Sequence, residues 1–260
     1  MYPELEILIA TTERTDTGFL ASIFPGGRED ASVLIVNQSV EGKRIPESIA
    51  DDRLRIVNLE GKGLSRSRNT ALKNAKGDIL YLADDDVEFL PGFSDSIKKA
   101  HQTFPDDIII FPMTDEKGRF FGKHRSRPYR MRRVDKIFSP QISFKRSFVD
   151  QNGIRFDERF GLGAGFPDAE NYVLLKTLKR KGIFPLYAGG SPVVMHRGET
   201  SSYFLERDDN IRARLAVIRM FYGPLVYPYF FKLMFFLWRK GKISFRHIPS
   251  KWRLMRESRI

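Results

Sequence analysis

Read for its apolar and polar positions, the chain opens on an apolar run, Leu5-Glu6-Ile7-Leu8-Ile9-Ala10. Comparable runs recur at Val33–Val36, Leu54–Val57, Ile79–Leu82, Ile108–Phe111 and Gln141–Phe144. Short, nearly continuous apolar runs bounded by turn residues predict strands buried on both faces. Helices are predicted between them. One starts at Asp16 or Thr17 and runs to about Phe24, where Pro25-Gly26-Gly27 breaks it. Another turns Ala71, Leu72 and Ala75 inward, and a third runs from Pro91-Gly92 to about His101. A fourth runs from near Asp168 to Lys181, with Val173, Leu174, Leu175 and Leu178 apolar and Gly182 as its stop. Pro185–Tyr187 and Pro192–His196 read as short extended pieces, and no internal repeat is visible. Alternation of strand and helix predicts an α/β, Rossmann-like, mostly parallel sheet with helices on both faces.

Beyond about Ser201 the pattern changes, which divides the chain into an α/β domain (1–200) and a C-terminal helical, basic and aromatic extension (201–260). Ile211–Met220 is a basic helical segment. In Phe221–Trp238 nine of eighteen residues are aromatic, Lys232 is the sole charge, and Pro224 and Pro228 interrupt the run. A membrane-spanning helix needs roughly 20 apolar residues, and the prolines weaken a straight helix. The segment therefore reads as a helix lying in the bilayer interface, with Lys and Arg at the headgroups. The alternative is a helix packed on the α/β domain.

Charge sharpens this division. The net charge is +12, yet residues 211–260 carry twelve Lys/Arg against Glu257, and residues 117–136 carry nine against Asp135. The rest of the chain is net acidic. Positive charge so localised points to an anionic membrane surface or a phosphorylated substrate, with nucleic acid as a third reading. The 117–136 segment has no usable periodicity and reads as a loop or hairpin able to close over a ligand. Cysteine is absent, which excludes disulfides, thiolate metal sites and cysteine nucleophiles and fits a reducing compartment. The first residues show no basic region followed by a long apolar core, so no secretory leader is expected. The expected location is cytoplasmic, peripheral on the inner face of a membrane.

The candidate chemistry centres on Asp84-Asp85-Asp86, directly after the apolar run Ile79–Leu82. Ligands bind at the carboxyl ends of strands in open α/β sheets. Three adjacent carboxylates repel and call for a cation, and oxygen ligands suit Mg²⁺ or Mn²⁺ shared with substrate phosphates. The plainer reading is a solvated acidic turn. Thr11, Thr12, Glu13, Asn37 and Asn58 end other predicted strands, so they would line the same crevice, with Arg68 and Asn69 starting a helix beside it.

Two stretches, Gly63-Leu-Ser-Arg-Ser-Arg68-Asn69 and Gly77-Asp78-Ile-Leu-Tyr-Leu-Ala-Asp84-Asp85-Asp86, together resemble family-2 glycosyltransferases of the GT-A fold. The resemblance continues through Phe156–Gly182 and covers about residues 5–200. It implies a metal-dependent, inverting transfer of a sugar from a nucleotide-diphosphate donor, UDP-linked by preference, to a glycan or lipid-linked acceptor. It implies that Asp86 ligates Mg²⁺ or Mn²⁺, that Asp84 shares the metal or contacts the ribose, and that His196 joins the metal or diphosphate. Thr11, Thr12, Glu13, Asn37, Arg68, Asn69, Asp84 and Asp85 would hold the donor. Arginines between Arg125 and Arg133 could stabilise the leaving diphosphate, the plainer reading being that most are solvated or lipid-facing. For the general base the resemblance favours Glu170, with Asp168 next; as plain chemistry, both acids also suit the start of a helix. A sugar nucleotidyltransferase would want a glycine-rich phosphate loop after the first strand, where Thr11-Thr12-Glu13-Arg14 stands. A phosphatase would place its aspartates at the first strand, and a nucleic-acid-binding protein leaves the acid triplet unexplained.

Overall fold

Residues in the first strand alternate between two hydrophobic cores, and this alternation organises the sheet. The computed structural model describes residues 3–197 and 206–260. In β1 (Leu5–Thr12), Leu5, Ile7 and Ile9 enter one core with Val33, Ile35, Ile79 and Tyr81. Leu8 enters the other with Leu34, Val36, Leu80 and Leu82. β1 pairs in parallel with β2 (Ser32–Ser39) on one side and β4 (Ile79–Asp84) on the other, and β2 pairs in parallel with β3 (Leu54–Glu60). The registers Ile9↔Ile35 and Ile9↔Ala83 put like faces together.

The helices α1 (Leu20–Ile23) and α3 (Phe93–Thr103) cover the first core with Ile23, Phe93 and Ile97. The second is covered by α2 (Leu64–Asn74), α4 (Arg146–Asn152) and α5 (Glu170–Arg180), through Leu72, Phe148 and Leu175 among others. The expected helix after Asp16 is thus a single turn, and α2 already contains the Ser-Arg-Ser-Arg-Asn stretch.

Among the described residues the main sheet has eight strands in the order β3-β2-β1-β4-β9-β6-β10-β8. The added strands are β6 (Ile108–Ile110), β8 (Tyr129–Arg130), β9 (Ile142–Lys145) and β10 (Leu186–Tyr187). β9 runs antiparallel between β4 and β6, so the sheet is mostly rather than wholly parallel. A second sheet joins β5 (Val87–Phe89), β11 (Val194–His196) and β7 (Met113–Asp115). In it His196 stands opposite Val87, immediately after the acid triplet.

One close approach explains the Gly77-Asp78 turn before β4. A Cβ on Gly77 would lie 2.6 Å from that of Glu6. Glu6 is buried, its carboxylate accepts the amides of Lys76 (2.6 Å) and Gly77 (2.9 Å), and it pairs with Arg55. A charged residue inside β1 thereby fixes where β4 begins.

The C-terminal part is helical: α6 (Asp208–Tyr222), α7 (Val226–Arg239), α8 (Ile248–Lys251) and α9 (Arg253–Glu257). Ile211, Leu215, Phe230, Met234, Leu254 and Met255 form a core of their own. Ala213, Ala216, Val217 and Phe221 of α6 pack on Phe160, Phe166 and Val173 of the α/β part. The expected division at 200/201 falls outside the described residues. The 117–136 segment holds β8 and is otherwise irregular, with Val134 buried in the second core.

His101 of α3 is buried, its Nε2 2.7 Å from Ser143 Oγ, and burial, reinforced by Lys145, lowers its pKa to about 3. The unfolded chain takes up this proton near 6.5 and the folded chain does not, so stability falls as pH drops through that window. Between pH 7 and pH 5 the native protein should lose about 2 kcal/mol more than His101→Asn, at about 1.4 kcal/mol per pH unit below 6.5. Urea unfolding at the two pH values checks this, and parallel losses would contradict it.

Candidate active site

The three aspartates at the end of β4 have three different fates. Asp84 accepts a hydrogen bond from Arg68 Nη2 (2.8 Å) at Oδ1 and one from Ser139 Oγ (2.9 Å) at Oδ2. Asp85 accepts from Thr11 Oγ1 and, at 2.8 Å, from Arg14 Nη2. Among the described residues Asp86 is paired with His196 alone, whose Nδ1 lies 3.5 Å from Oδ1. Its side chain is 51% exposed against 28% and 29% for the other two, so it is the acid of the triplet best placed to meet a ligand.

Arg68 is the hub of the site. It is 3% exposed, and its Nη1 donates to Glu170 Oε1 (2.9 Å) while Nη2 reaches Asp84 and Ser139. Its guanidinium also lies over the Phe156 ring, 5.6 Å from the centroid. Burial works against its charge, but the Asp84 and Glu170 carboxylates outweigh burial and raise its pKa further. One planar fork thus joins the strand-end acids to the first turn of α5.

The loop before α5 carries the other acid. Leu64 N donates to Leu162 O (2.9 Å) and Ser65 Oγ to Phe160 O (2.6 Å), stitching α2 to the glycine-rich turn. Gly161 has φ 102°, and a Cβ there would press on Ser65 Oγ at 3.0 Å and meet Glu170. Ala169 takes the left-handed conformation, φ 78°, strained for alanine. Because α5 starts at Glu170 rather than Asp168, Glu170 turns inward to Arg68, and its Oε1 also accepts from Asn171 Nδ2 (3.1 Å). Asp168 is half-buried, with Oδ1 accepting the Ala169 amide (2.7 Å).

Several residues expected to hold the donor are engaged in architecture instead. Asn37 is fully buried; its Oδ1 accepts Arg14 N (3.0 Å) and its Nδ2 donates to Arg14 O (3.0 Å) and Asn58 Oδ1 (3.1 Å). It braces the loop after β1 and has no amide group left to read a base. Asn69 exchanges hydrogen bonds with the Phe156 backbone (2.7 and 3.0 Å) and so pins that segment to α2. Glu13, at φ 57°, accepts the Val40 and Glu41 amides, and these bonds, the Val40 one foremost, lower its pKa. Asp84 is likewise engaged on both oxygens, by Arg68 and Ser139. Thr12 alone of the β1-end residues is exposed; Thr11 is buried on Asp85. Arg14 was missed as a site residue, although a cation one turn beyond the strand end is the partner a crowded acid cluster requires.

Among the described residues no three His, Asp or Glu side chains gather into a ready-made metal cage. Asp86 and His196 Nδ1 still form an adjacent pair of donors. That pair fits a hard ion that keeps waters and takes its remaining ligands from a phosphate. Asp86 raises the His196 pKa, by hydrogen bond first, against the effect of burial. Phe121 stacks edge-on against the His196 ring at 5.5 Å, which anchors one end of the arginine-rich loop beside the site. Arg125, farther along that loop, lies over Tyr129 at 4.8 Å.

Replacing Arg68 by Gln leaves Glu170 and Asp84 without their cation, and urea unfolding should show a loss of about 3 kcal/mol or more. Adding Glu170→Gln should restore part of that loss by removing the stranded charge; no recovery would show that Glu170 is not the group Arg68 neutralises.

Comparison with known proteins completes the picture. The sequence model described as glycosyl transferase family 2 matches residues 19–164, more than half of the chain. The search of curated proteins gave no match. Among solved structures, the crystal structure of residues 1–349 of TarS from S. aureus has a TM-score of 0.58 at 13% identity, covering 96% of this chain and 79% of that one. The same protein in complex with UDP gives 0.56 at 14%, covering 98% and 80%. Its complex with UDP-GlcNAc gives 0.52 at 13%, covering 83% and 66%. At such identities the similarity shows the fold, and the family match carries the activity. With its acid triplet after β4, its Arg68 hub and its GT-A sheet, the chain belongs to glycosyl transferase family 2 and is a glycosyltransferase.

Proposed function

We propose that this glycosyltransferase moves a sugar from a nucleotide-diphosphate donor, UDP-linked by preference, to a hydroxyl of a glycan or lipid-linked acceptor, with metal assistance and inversion. The observation that carries the reading is the Arg68 bridge, 2.8 Å from Asp84 and 2.9 Å from Glu170. It makes the strand-end acids and the loop before α5 two walls of one crevice. The solved complexes of TarS with UDP and with UDP-GlcNAc support the donor class.

Asp86 and His196 would hold Mg²⁺ or Mn²⁺, which supplies positive charge against the diphosphate as its bond to the sugar breaks. The exposed Thr12 at the end of β1 offers a hydroxyl to the nucleoside. For the base we favour Asp168 over Glu170. Glu170 is buried with its Oε1 taken by Arg68 and Asn171, which leaves it poorly placed to meet an acceptor hydroxyl, whereas Asp168 is half-buried and, among the described residues, is engaged by the next amide alone. Asp168 takes the proton of the acceptor hydroxyl, the oxygen attacks the anomeric carbon from the face opposite the diphosphate, and the nucleoside diphosphate departs. Glu170 keeps Arg68 in place.

Asp168→Asn should therefore lower turnover about 10²-fold or more, the usual worth of a general base, while a thermal-shift panel of nucleotide-sugars with Mn²⁺ shows unchanged donor binding. Glu170→Gln should reduce stability before it reduces turnover. Normal turnover in Asp168→Asn with loss of it in a folded Glu170→Gln would return the base to Glu170. Absence of any nucleotide-sugar shift with the native chain would refute the donor assignment.

A further inference from the structure

The C-terminal helices carry a surface that sugar transfer does not explain. The inner face of α7 is buried through Val226, Phe230, Leu233, Met234 and Leu237, yet its outer face is equally apolar. Tyr227 (46%), Phe231 (59%), Phe235 (57%) and Trp238 (46%) are exposed along it, with Trp252 (42%) and Phe245 (68%) beside them. Their rings lie close together: Tyr227–Trp252 6.3 Å, Phe231–Trp252 5.8 Å, Phe235–Trp238 5.7 Å and Trp238–Phe245 6.2 Å. A contiguous exposed apolar ridge of this kind marks an interaction surface.

Charge identifies the partner. Lys232, Arg239, Lys240 and Arg246 are exposed on α7 and the turn after it, and no ion pair is found for them among the described residues. A second copy docked on this face would bring like charge against like charge. An anionic bilayer satisfies both features, since aromatic rings settle at the acyl boundary while Lys and Arg meet the headgroups.

The stretch Asp208–Arg239 is long and apolar enough to cross a membrane, but it is two helices broken at Gly223–Leu225. α6 is also packed on Phe160, Phe166 and Val173. Spanning would strip that contact; lying on the surface keeps it. We propose that the α7 ridge seats this protein on an anionic lipid surface. α6 reaches the loop before α5, since Arg212 Nη2 donates to Gly165 O (2.8 Å) and its guanidinium lies over Phe166 at 5.7 Å. The seat is therefore joined to the loop holding Asp168. If that loop receives the acceptor, which rests on the function proposed above, a lipid-linked acceptor would meet the site where it is anchored.

Both tryptophans of the chain, Trp238 and Trp252, stand on the ridge, so intrinsic fluorescence of the full chain reports on it directly. Vesicles containing phosphatidylglycerol should shift the emission to the blue, and brominated lipid should quench it. Phosphatidylcholine vesicles should do neither, and the Phe231→Ser/Phe235→Ser variant should bind the anionic vesicles about tenfold more weakly or worse. A silent response to anionic vesicles would overturn the proposal, as would an equal response to neutral ones. So would a lipid-free dimer that the double variant abolishes, which would assign the ridge to a second copy. The nucleotide-sugar thermal shift is read separately, so failure of membrane seating leaves the donor reading standing and failure of the donor reading leaves the seating standing.

Discussion

Three carboxylates in a row at the end of one buried strand repel one another, and the site is built around relieving that repulsion. Two arginines from different parts of the chain do so. Arg14, just past β1, takes Asp85, and Arg68, inside α2, takes Asp84. Asp86 is left outward beside His196, which the small second sheet delivers to the same place. The acid triplet is thus differentiated by its partners: two members are paired with arginines and the third is the most exposed.

The Arg68 pairing extends further than charge balance. A buried guanidinium needs hydrogen bonds for its other N–H groups as well as one charge partner to offset its desolvation, and Glu170, at the start of α5, takes Nη1. Holding Glu170 inward forces a sharp entry into that helix, taken up by the left-handed Ala169 and by Gly161, whose hydrogen faces Ser65 and Glu170. Asp168, two residues before Glu170, stays half-buried and turned to the Ala169 amide. The same loop is braced from its other side by Arg212 of α6, so the C-terminal helices complete the α/β part as well as following it.

Much of this was legible in the chain itself. The buried strands announced themselves because both of their faces are covered, which demands continuous apolar runs such as Val33–Val36. The acid triplet and Arg68 stood out because charges beside such strands need a reason. The second sheet was not legible: β5, β7 and β11 have three residues each, too few to show a period. Nor was the antiparallel insertion of β9, a matter of tertiary pairing. The contacts of Asn37 and Asn69 were not legible, because an amide at an element's end suits a ligand or a neighbouring backbone equally well, and the fold shows them bonded to the backbones of Arg14 and Phe156. The inward turn of Glu170 follows from α5 starting at Glu170 and not near Asp168, a shift of two residues that sequence patterns do not resolve. The C-terminal aromatic stretch held two readings, a helix in the bilayer interface or one packed on the α/β domain; α7 buries its inner face in the C-terminal helices' own core and displays rings outward.

The central claim is that Asp86 alone among the three aspartates is available to a bound ion and its nucleotide. Electron paramagnetic resonance of Mn²⁺, titrated into the protein with UDP present, tests it without relying on turnover. The account predicts that Asp86→Asn abolishes the bound signal while Asp85→Asn keeps it. Retention of the bound signal in Asp86→Asn, with its loss in a folded Asp85→Asn, would contradict it.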